Sequence, residues 1–344
     1  MSDIRIALIE PDDATAWDEF VRSAPSATFF HLSGWKPIIE KAFGHETYYL
    51  LAKRGGAVVG LLPLTHIKSF IFGNSLISNA FSVYGGIVSS DAEAHGALVG
   101  AAADIARRLK VDCVEFRSIQ PSNPSWVQRD GLYVTFRRPI GANSDENMKA
   151  IPRKQRAMIR KGISNGLTSE CDENPDRLHE IYAHSVHHLG TPVFPLRYFQ
   201  LLKEQFGDAC DIVTVVQGAC AVASVMNFYF RDEVLPYYGG GTNAARKLAA
   251  NDFMYWEVMR RAAERGCRVF DFGRSKVGTG SYNFKRYWGF EPQPLSYEFL
   301  PVGASKLPDN NPLNPKFQLF VSAWRRLPFF ATKLLGPLIV RSIG

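Results

Sequence analysis

Residues 269–290 read VFDFGRSKVGTGSYNFKRYWGF, a segment dense in side chains that can do chemistry. A short strand, Val269 to Phe272, carries the acid Asp271 and ends in Gly273-Arg274-Ser275. A loop with Gly278 and Gly280 leads to Tyr282, Lys285, Arg286 and Trp288. Four cations (Arg274, Lys276, Lys285, Arg286) thus flank flexible glycines, whose amides can also point at an anion. Guanidinium groups grip phosphate through two parallel donors, and an ammonium acts as a point charge. The plain alternative makes Tyr282, Phe284, Tyr287 and Trp288 core aromatics and the glycines turns. It suits Arg274 and Lys285 less well, because buried cations need partners.

Two other segments are strongly basic. IPRKQRAMIRKG places five cations in nine positions, Arg153, Lys154, Arg156, Arg160 and Lys161, with no acid among them. Pro152 suits the first turn of a helix, and Arg153, Arg156 and Arg160 then share one face. Such a run is either a solvated face or a surface for phosphates or an acidic partner. The tail from Lys306 holds six basic residues and one acid, Asp309, interleaved with aromatics and aliphatics. It reads either as a segment lying on an anionic membrane or as a final helix packed on the body. His184, His187 and His188 cluster without a nearby third ligand type, so no metal is expected. GxSxG, HExxH, Walker A and GxGxxG patterns are absent from the sequence.

The elements that must hold these residues recur. WKPIIEKAFGHETYYLLAKRGGAVVGLLPL, from Trp35, parallels YFQLLKEQFGDACDIVTVVQGACAVASVMNF, from Tyr198: helix, strand, glycine turn, strand. YGGIVSSDAEAHGALVGAAADIARRLKVDCVEF, from Tyr84, parallels YGGGTNAARKLAANDFMYWEVMRRAAERGCRVFDF, from Tyr238: strand end, helix, acid-bearing strand. Apolar runs at Ala57 to Leu64 and Ala221 to Phe230 have the length and continuity of central strands covered on both faces. The order predicts an α/β (α+β) layered fold occurring twice, with the two Tyr-Gly-Gly segments equivalent. The stretch EFRSIQPSNPSW after the first acid lacks the cation-rich elaboration of its counterpart, as if one of two sites had been lost.

The 344 residues, 46% hydrophobic and 21% charged, exclude a disordered, collagenous or coiled-coil chain. The net charge of +7 permits an anionic partner. Five scattered cysteines without CxxC indicate neither a disulfide framework nor a zinc site, and point to a reducing cytoplasm. The acidic N-terminal segment lacks the apolar stretch of a signal peptide. No run approaches the ~18–20 apolar residues that span a bilayer.

Taken in order, WKPIIEKAFGHETYYLLA, GLLPL, FGNSLISNAFSVYGG, PRKQRAMIRKG and FDFGRS…SYNFKRYWGF resemble the FemAB-like proteins over about 300 residues. These are non-ribosomal aminoacyltransferases built from tandem Gcn5-related N-acetyltransferase domains. The sequence is most similar to their branch associated with PEP-CTERM/exosortase exopolysaccharide systems. The resemblance implies a degenerate N-terminal domain over 1–145, a basic linker helix over 146–170, an active C-terminal domain over 171–305 and a basic tail over 306–344. It implies acyl or aminoacyl transfer to an amine of a cell-envelope or exopolysaccharide precursor carried on a nucleotide or lipid. The donor is aminoacyl-tRNA or acyl-CoA, with no permanently bound cofactor.

One departure from the fold's pattern favours a donor other than CoA. The turn that holds a pyrophosphate is usually R/Q-x-x-G-x-G/A, and here it reads Arg246-Lys247-Leu248-Ala249-Ala250-Asn251. In this reading Lys285 meets the oxyanion or a phosphate, and Arg274, Ser275, Arg286, Arg153, Arg156 and Arg160 meet substrate or phosphate. Tyr238 and Tyr282 orient the nucleophile or pass a proton. Asp271 is either a base or a strand-end acid paired with a cation. The alternatives are a non-catalytic anion-binding scaffold of a membrane-associated polysaccharide system and a plain acyl-CoA N-acyltransferase. The expected location is the cytoplasm, peripheral at the inner face of the plasma membrane.

Overall fold

Gly55 and Gly56, with φ of +58° and +89°, turn β2 (Thr47–Arg54) directly into β3 (Ala57–Ser69). Side-chain-bearing residues enter that left-handed region at a cost, so the glycine pair marks the hairpin. The computed structural model describes residues 3–69, 72–303 and 315–343, with the backbone alone at 315–318. The Pro- and Asn-rich loop ahead of the tail lies outside the described residues. By contacts the chain forms two units, one of Met1–Leu132, Pro294–Asn311 and Arg341–Gly344, the other of Tyr133–Gln293 and Pro312–Val340.

The first unit runs β1 (Ile4–Leu8), α1 (Ala14–Ser23), α2 (Trp35–Phe43), β2, β3, β4 (Gly73–Ser78), β5 (Val88–Ser89), α3 (Ala92–Leu109), β6 (Cys113–Ser118) and β7 (Val127–Arg129). Its sheet has the order β1-β2-β3-β4-β6-β17-β7, where β17 (Ser296–Pro301) is supplied by the late return of the chain. Every neighbouring pair on this path is antiparallel except β4 with β6. That parallel step requires a crossover, and α3 provides it. Asp91 caps α3 by accepting from the Ala94 amide at 2.9 Å. Leu98, Ala102 and Ala106 of α3 pack on Leu50, Leu62, Leu64, Leu76 and Val114 of the sheet.

The second unit begins with β8 (Tyr133–Thr135) and β9 (Arg137–Pro139), then α4 (Ser144–Ala150), α5 (Arg153–Ser164), β10 (Leu167–Cys171), α6 (Asp176–Leu189) and α7 (Leu196–Phe206). It continues through β11 (Cys210–Gln217), β12 (Cys220–Phe230), β13 (Glu233–Gly241), α8 (Ala245–Leu248), α9 (Ala250–Glu264) and β14 (Val269–Asp271). β15 (Ser275–Lys276), α10 (Gly280–Tyr287) and β16 (Gln293–Pro294) follow, and α11 (Pro315–Arg326) and α12 (Phe329–Val340) end it. The sheet order is β10-β11-β12-β13-β14-β9. Again one step is parallel, β13 with β14, and again the strand beyond it, β9, comes from elsewhere in the chain. Helix α9 makes the crossover and buries Phe253, Met254, Val258, Met259 and Ala262 in the core.

The six strands of the second sheet thus repeat the order of the first six on the path of the first, with β5 and β7 extra there, and the expected α/β fold occurring twice is the observed one. One detail of the expected repeat is corrected. Tyr238–Gly240 lie within β13, whereas Tyr84, Gly85 and Gly86 lie in an irregular segment after β4. Asn79 and Phe81 take φ of +48° and +65° there, which diverts the chain out of the strand.

The basic stretch expected as a linker is helix α5, packed within the second unit. Its Ile159 and Gly162 are buried, and a Cβ on Gly162 would stand 2.8 Å from Phe253 Cβ of α9. Gln155 of α5 donates to Asp252 Oδ1 of α9 at 2.6 Å, and Trp288 Nε1 donates to the same oxygen at 3.2 Å.

Candidate active site

The parallel ladder of β13 and β14 covers two positions only, Glu233↔Val269 and Val234↔Phe270. β13 continues to Gly241 on the far side of that ladder, against β12. Its register against β12 shifts at Met226/Asn227, leaving Tyr237 as the extra residue of a bulge. Bulges twist a strand and re-aim its side chains. Among the described residues, the β13–β14 ladder thus ends at Val234 and Phe270. In the first unit the corresponding place is filled by its own chain. There Gly85 donates its amide to the Arg117 carbonyl at 2.6 Å, and Arg117 donates its amide to Ser78 Oγ at 3.0 Å. A Cβ on Gly85 would stand 2.5 Å from the Ser78 carbonyl oxygen, so only glycine allows this closure.

Thr279 caps α10 by accepting from the Tyr282 amide, and α10 carries Lys285 back over the loop. Lys285 Nζ donates to the carbonyls of Gly273 at 2.9 Å and Arg274 at 3.0 Å. It stands 5.7 Å from the ring centre of Phe136. Desolvation drives its pKa down to about 7, the Arg274 charge pushes the same way, and Asp271 partly opposes them. A lysine held near neutrality is what proton-transfer and oxyanion sites require.

Asp271 is fully buried and bound on several sides. Gly273 donates its amide at 2.7 Å, Thr135 Oγ1 donates at 3.3 Å, and Arg137 Nε stands 3.3 Å away. Arg137 also pairs with Glu233, whose pKa burial raises. Asp271 is thus an acid at a strand end paired with a cation, the arrangement that one of its two expected roles describes. Arg274 stacks its guanidinium 4.7 Å from the Tyr133 ring centre. Ser275 is buried in β15 against Val134, and its hydroxyl has no hydrogen-bond partner among the described residues. Tyr282 meets Phe136 edge-on at 5.5 Å, and the exposed Arg286 lies 5.9 Å from the Tyr282 ring.

The structure thus brings Lys285, Arg274, Ser275, Asp271 and Tyr282 together around residues 133–137. Tyr238 lies elsewhere, buried with its hydroxyl 2.9 Å from that of Tyr198 and its ring against Tyr182, Phe194 and Phe199. On α5, Arg153 and Arg160 are exposed, while Arg156 donates to the Lys149 carbonyl at 2.9 Å. Pro152, just ahead of Arg153, lies 3.0 Å from where a Gly289 Cβ would stand, so α5 begins at the end of α10.

Sequence reasoning missed Tyr133, Thr135, Phe136, Arg137 and Glu233. A signal existed in TyrValThrPheArg at 133–137, where polar and apolar residues alternate as in a half-buried strand. Among the described residues no group of three His, Cys, Asp or Glu is placed to hold a metal ion.

Residues 151–286 match the acetyltransferase (GNAT) domain family, a span running from α5 to α10. No curated protein matches the chain in sequence. Among solved structures, FemX superposes with a TM-score of 0.67 at 16% identity, covering 92% of this chain and all of FemX (100%). A tandem GNAT protein from the clavulanic acid biosynthesis pathway gives 0.56 at 12% identity, covering 88% of this chain and 100% of that one. The C-terminal domain of a protein assigned as a lysylphosphatidylglycerol synthetase from Agrobacterium fabrum gives 0.55 at 14%, covering 84% and 91%. At these identities the likeness is one of fold. The chain accordingly has the fold of tandem GNAT proteins, with its acetyltransferase-type domain in the second of two sheets that share a six-strand order.

Proposed function

We propose that the protein is an acyl- or aminoacyltransferase that joins an activated acyl group to an amine of a cell-envelope or exopolysaccharide precursor. Lys285, held by the Gly273 and Arg274 carbonyls just past β14 with its pKa lowered by burial, carries this reading. The amine nitrogen attacks the carbonyl carbon of an ester or thioester. The C–N bond forms, the carbonyl oxygen takes the negative charge, and its collapse expels the alkoxide or thiolate while the nitrogen loses its proton. A protonated Lys285 has three N–H donors, and two are taken by the Gly273 and Arg274 carbonyls. The third is left for the oxyanion, where such a donor is worth most. Asp271, through the Gly273 amide, holds the loop that presents those two carbonyls.

The donor we favour is an aminoacyl ester of tRNA. Ala249 supports this. It stands at the α8–α9 turn with φ +60°, the conformation of a glycine, so its Cβ crowds the amides that would meet a pyrophosphate. The cations of α5, together with Arg274 and Arg286, would take the phosphates of a nucleotide- or lipid-linked sugar acceptor. The sequence resemblance to the FemAB-like proteins and to their PEP-CTERM/exosortase-associated branch supports an envelope acceptor. A second reading, transfer from acyl-CoA, is favoured by the acetyltransferase match over 151–286.

The test is single-turnover transfer by the purified full chain to a surrogate amine, from labelled aminoacyl-tRNA and, separately, from labelled acetyl-CoA. Transfer from the tRNA ester, lost in Lys285→Ala, is the expected result. Transfer from acetyl-CoA alone selects the second reading. No transfer from either donor, with both shown to bind, overturns the enzymatic reading in favour of an anion-binding scaffold.

A further inference from the structure

The two last helices of the second unit leave one face uncovered. Phe330 is 75% exposed, Leu319 and Leu334 are 73% and Leu338 is 62%, with Phe320, Leu327 and Leu335 partly exposed around them. Scattered apolar residues on a surface are ordinary, but Phe330, Leu334 and Leu338 stand four residues apart on α12 and so share one face, and an exposed apolar stripe marks an interaction site. The set is not the result of a loose tail. Trp324 and Thr332 are buried on the opposite side, and Phe329 stacks on His184 of α6 at 3.8 Å. His187 Nε2 lies 3.1 Å from the Leu327 carbonyl, and Arg325 donates to the Leu189 carbonyl at 3.1 Å. Gly336 lies so close to Val193 that a Cβ would stand 2.8 Å from its Cγ1. One face is thus fixed to α6, and the other is held outward.

We infer that this outward face docks on an anionic lipid bilayer, lying in its interface. The charge pattern decides the partner. From Pro315 to Ile343 the sequence has Lys316, Arg325, Arg326, Lys333 and Arg341 and no carboxylate. Lys333 pairs with Glu180 of α6, which also lies 3.5 Å from His184. Arg325 and Arg326 are exposed next to Leu327 and Phe330. Aliphatic and aromatic residues enter the acyl boundary while cations stay with anionic headgroups. A second copy of the chain fits poorly, because a two-fold contact between these helices would offer Arg325 and Arg326 no carboxylate from the same segment. The helices cannot cross a membrane. Each has 12 residues, about 18 Å of helix, and Pro337 interrupts the second. Among the described residues no helix is long and apolar enough to span.

This inference stands whatever the reaction proves to be. The test is flotation of the full chain with vesicles of phosphatidylcholine alone and of phosphatidylcholine with phosphatidylglycerol, at low and high salt, alongside light scattering. The expected result is flotation with the anionic vesicles only, weakened by salt. Phe330→Ser/Leu334→Ser/Leu338→Ser and Arg325→Glu/Arg326→Glu should each lower binding on the order of tenfold or more. The serine positions are exposed, so that variant should keep its unfolding midpoint. Failure to float with anionic vesicles overturns the inference, as does equal flotation by the serine variant. A native dimer that the serine variant dissolves, without vesicle binding by either, assigns the face to a second copy instead.

Discussion

Lys285 Nζ donates to the Gly273 carbonyl oxygen at 2.9 Å, tying α10 to the second residue after β14. Neither carbonyl it meets can accept the lysine's proton as a carboxylate would. The contact fixes the ammonium's position without neutralising it, which suits a donor to a transient anion. Lys285→Ala should lower single-turnover acyl transfer by roughly 10²–10³-fold, with donor affinity changed much less. Lys285→Arg should recover little, because a planar fork cannot occupy the same point. The rates of the three proteins at saturating donor check this; equal rates would remove Lys285 from the site.

The depressed pKa of Lys285 also couples folding to pH. Below about 7 both folded and unfolded chains carry its proton, and the folded state bears the full desolvation cost. Between about 7 and the ordinary value of 10.5 the unfolded chain binds more protons, so this residue's contribution to stability rises with pH. Relative to Lys285→Met, the native protein's urea midpoint should therefore climb across that window. In activity, a protonated donor predicts an alkaline limb in the native rate with an apparent pKa of about 7. The residual rate of Lys285→Ala should lack that limb.

Tyr238 should matter for stability and not for the chemical step. Its hydroxyl pairs with that of Tyr198 inside an aromatic cluster, and burial raises both pKa values well above the usual phenol range. Tyr238→Phe should cost about 1 kcal/mol of folding free energy, read from urea unfolding. Its single-turnover rate should stay within a few-fold of native, and a large rate loss at unchanged stability would return Tyr238 to the reaction.

Asp252 should be a stability residue of the first rank. It is buried, desolvation raises its pKa, and one oxygen accepts from both Gln155 and Trp288. Asp252→Ala leaves two buried donors without that acceptor and should cost roughly 2–4 kcal/mol. Asp252→Asn keeps an amide oxygen in place and should cost clearly less in the same denaturation series.

Ala249 at φ +60° offers a test of the donor. Glycine accepts that conformation freely, although it loses more entropy on folding, so Ala249→Gly should stabilise by about 0.5 kcal/mol. Without the Cβ, the start of α9 would admit a pyrophosphate more closely. Titration calorimetry should show tighter acetyl-CoA binding by Ala249→Gly than by the native chain if the alanine excludes that donor.

Much of the architecture was legible because it is written locally. The apolar run of Ala57 to Leu64, the Gly55-Gly56 turn and the helical stripe of α9 each state an element within a dozen residues, and their repetition states the fold twice over. The loop carrying Arg274 and Lys285 was legible for the same reason, since its cations and glycines are contiguous. What surrounds Lys285 was not. Phe136 and Thr135 reach the loop from about 140 residues away because β9 pairs with β14 and β8 with β15. Ser296–Pro301 completes the first sheet, and no periodicity in those six residues says which strand they will join. Register between distant strands depends on what each face buries, a property of the packed sheet and not of either segment alone. The same holds for Tyr238 and Tyr84. Each precedes two glycines, yet one continues a strand and the other folds back to close a sheet. Their local sequences allow both outcomes, and hydrogen bonding at the parallel step decided between them.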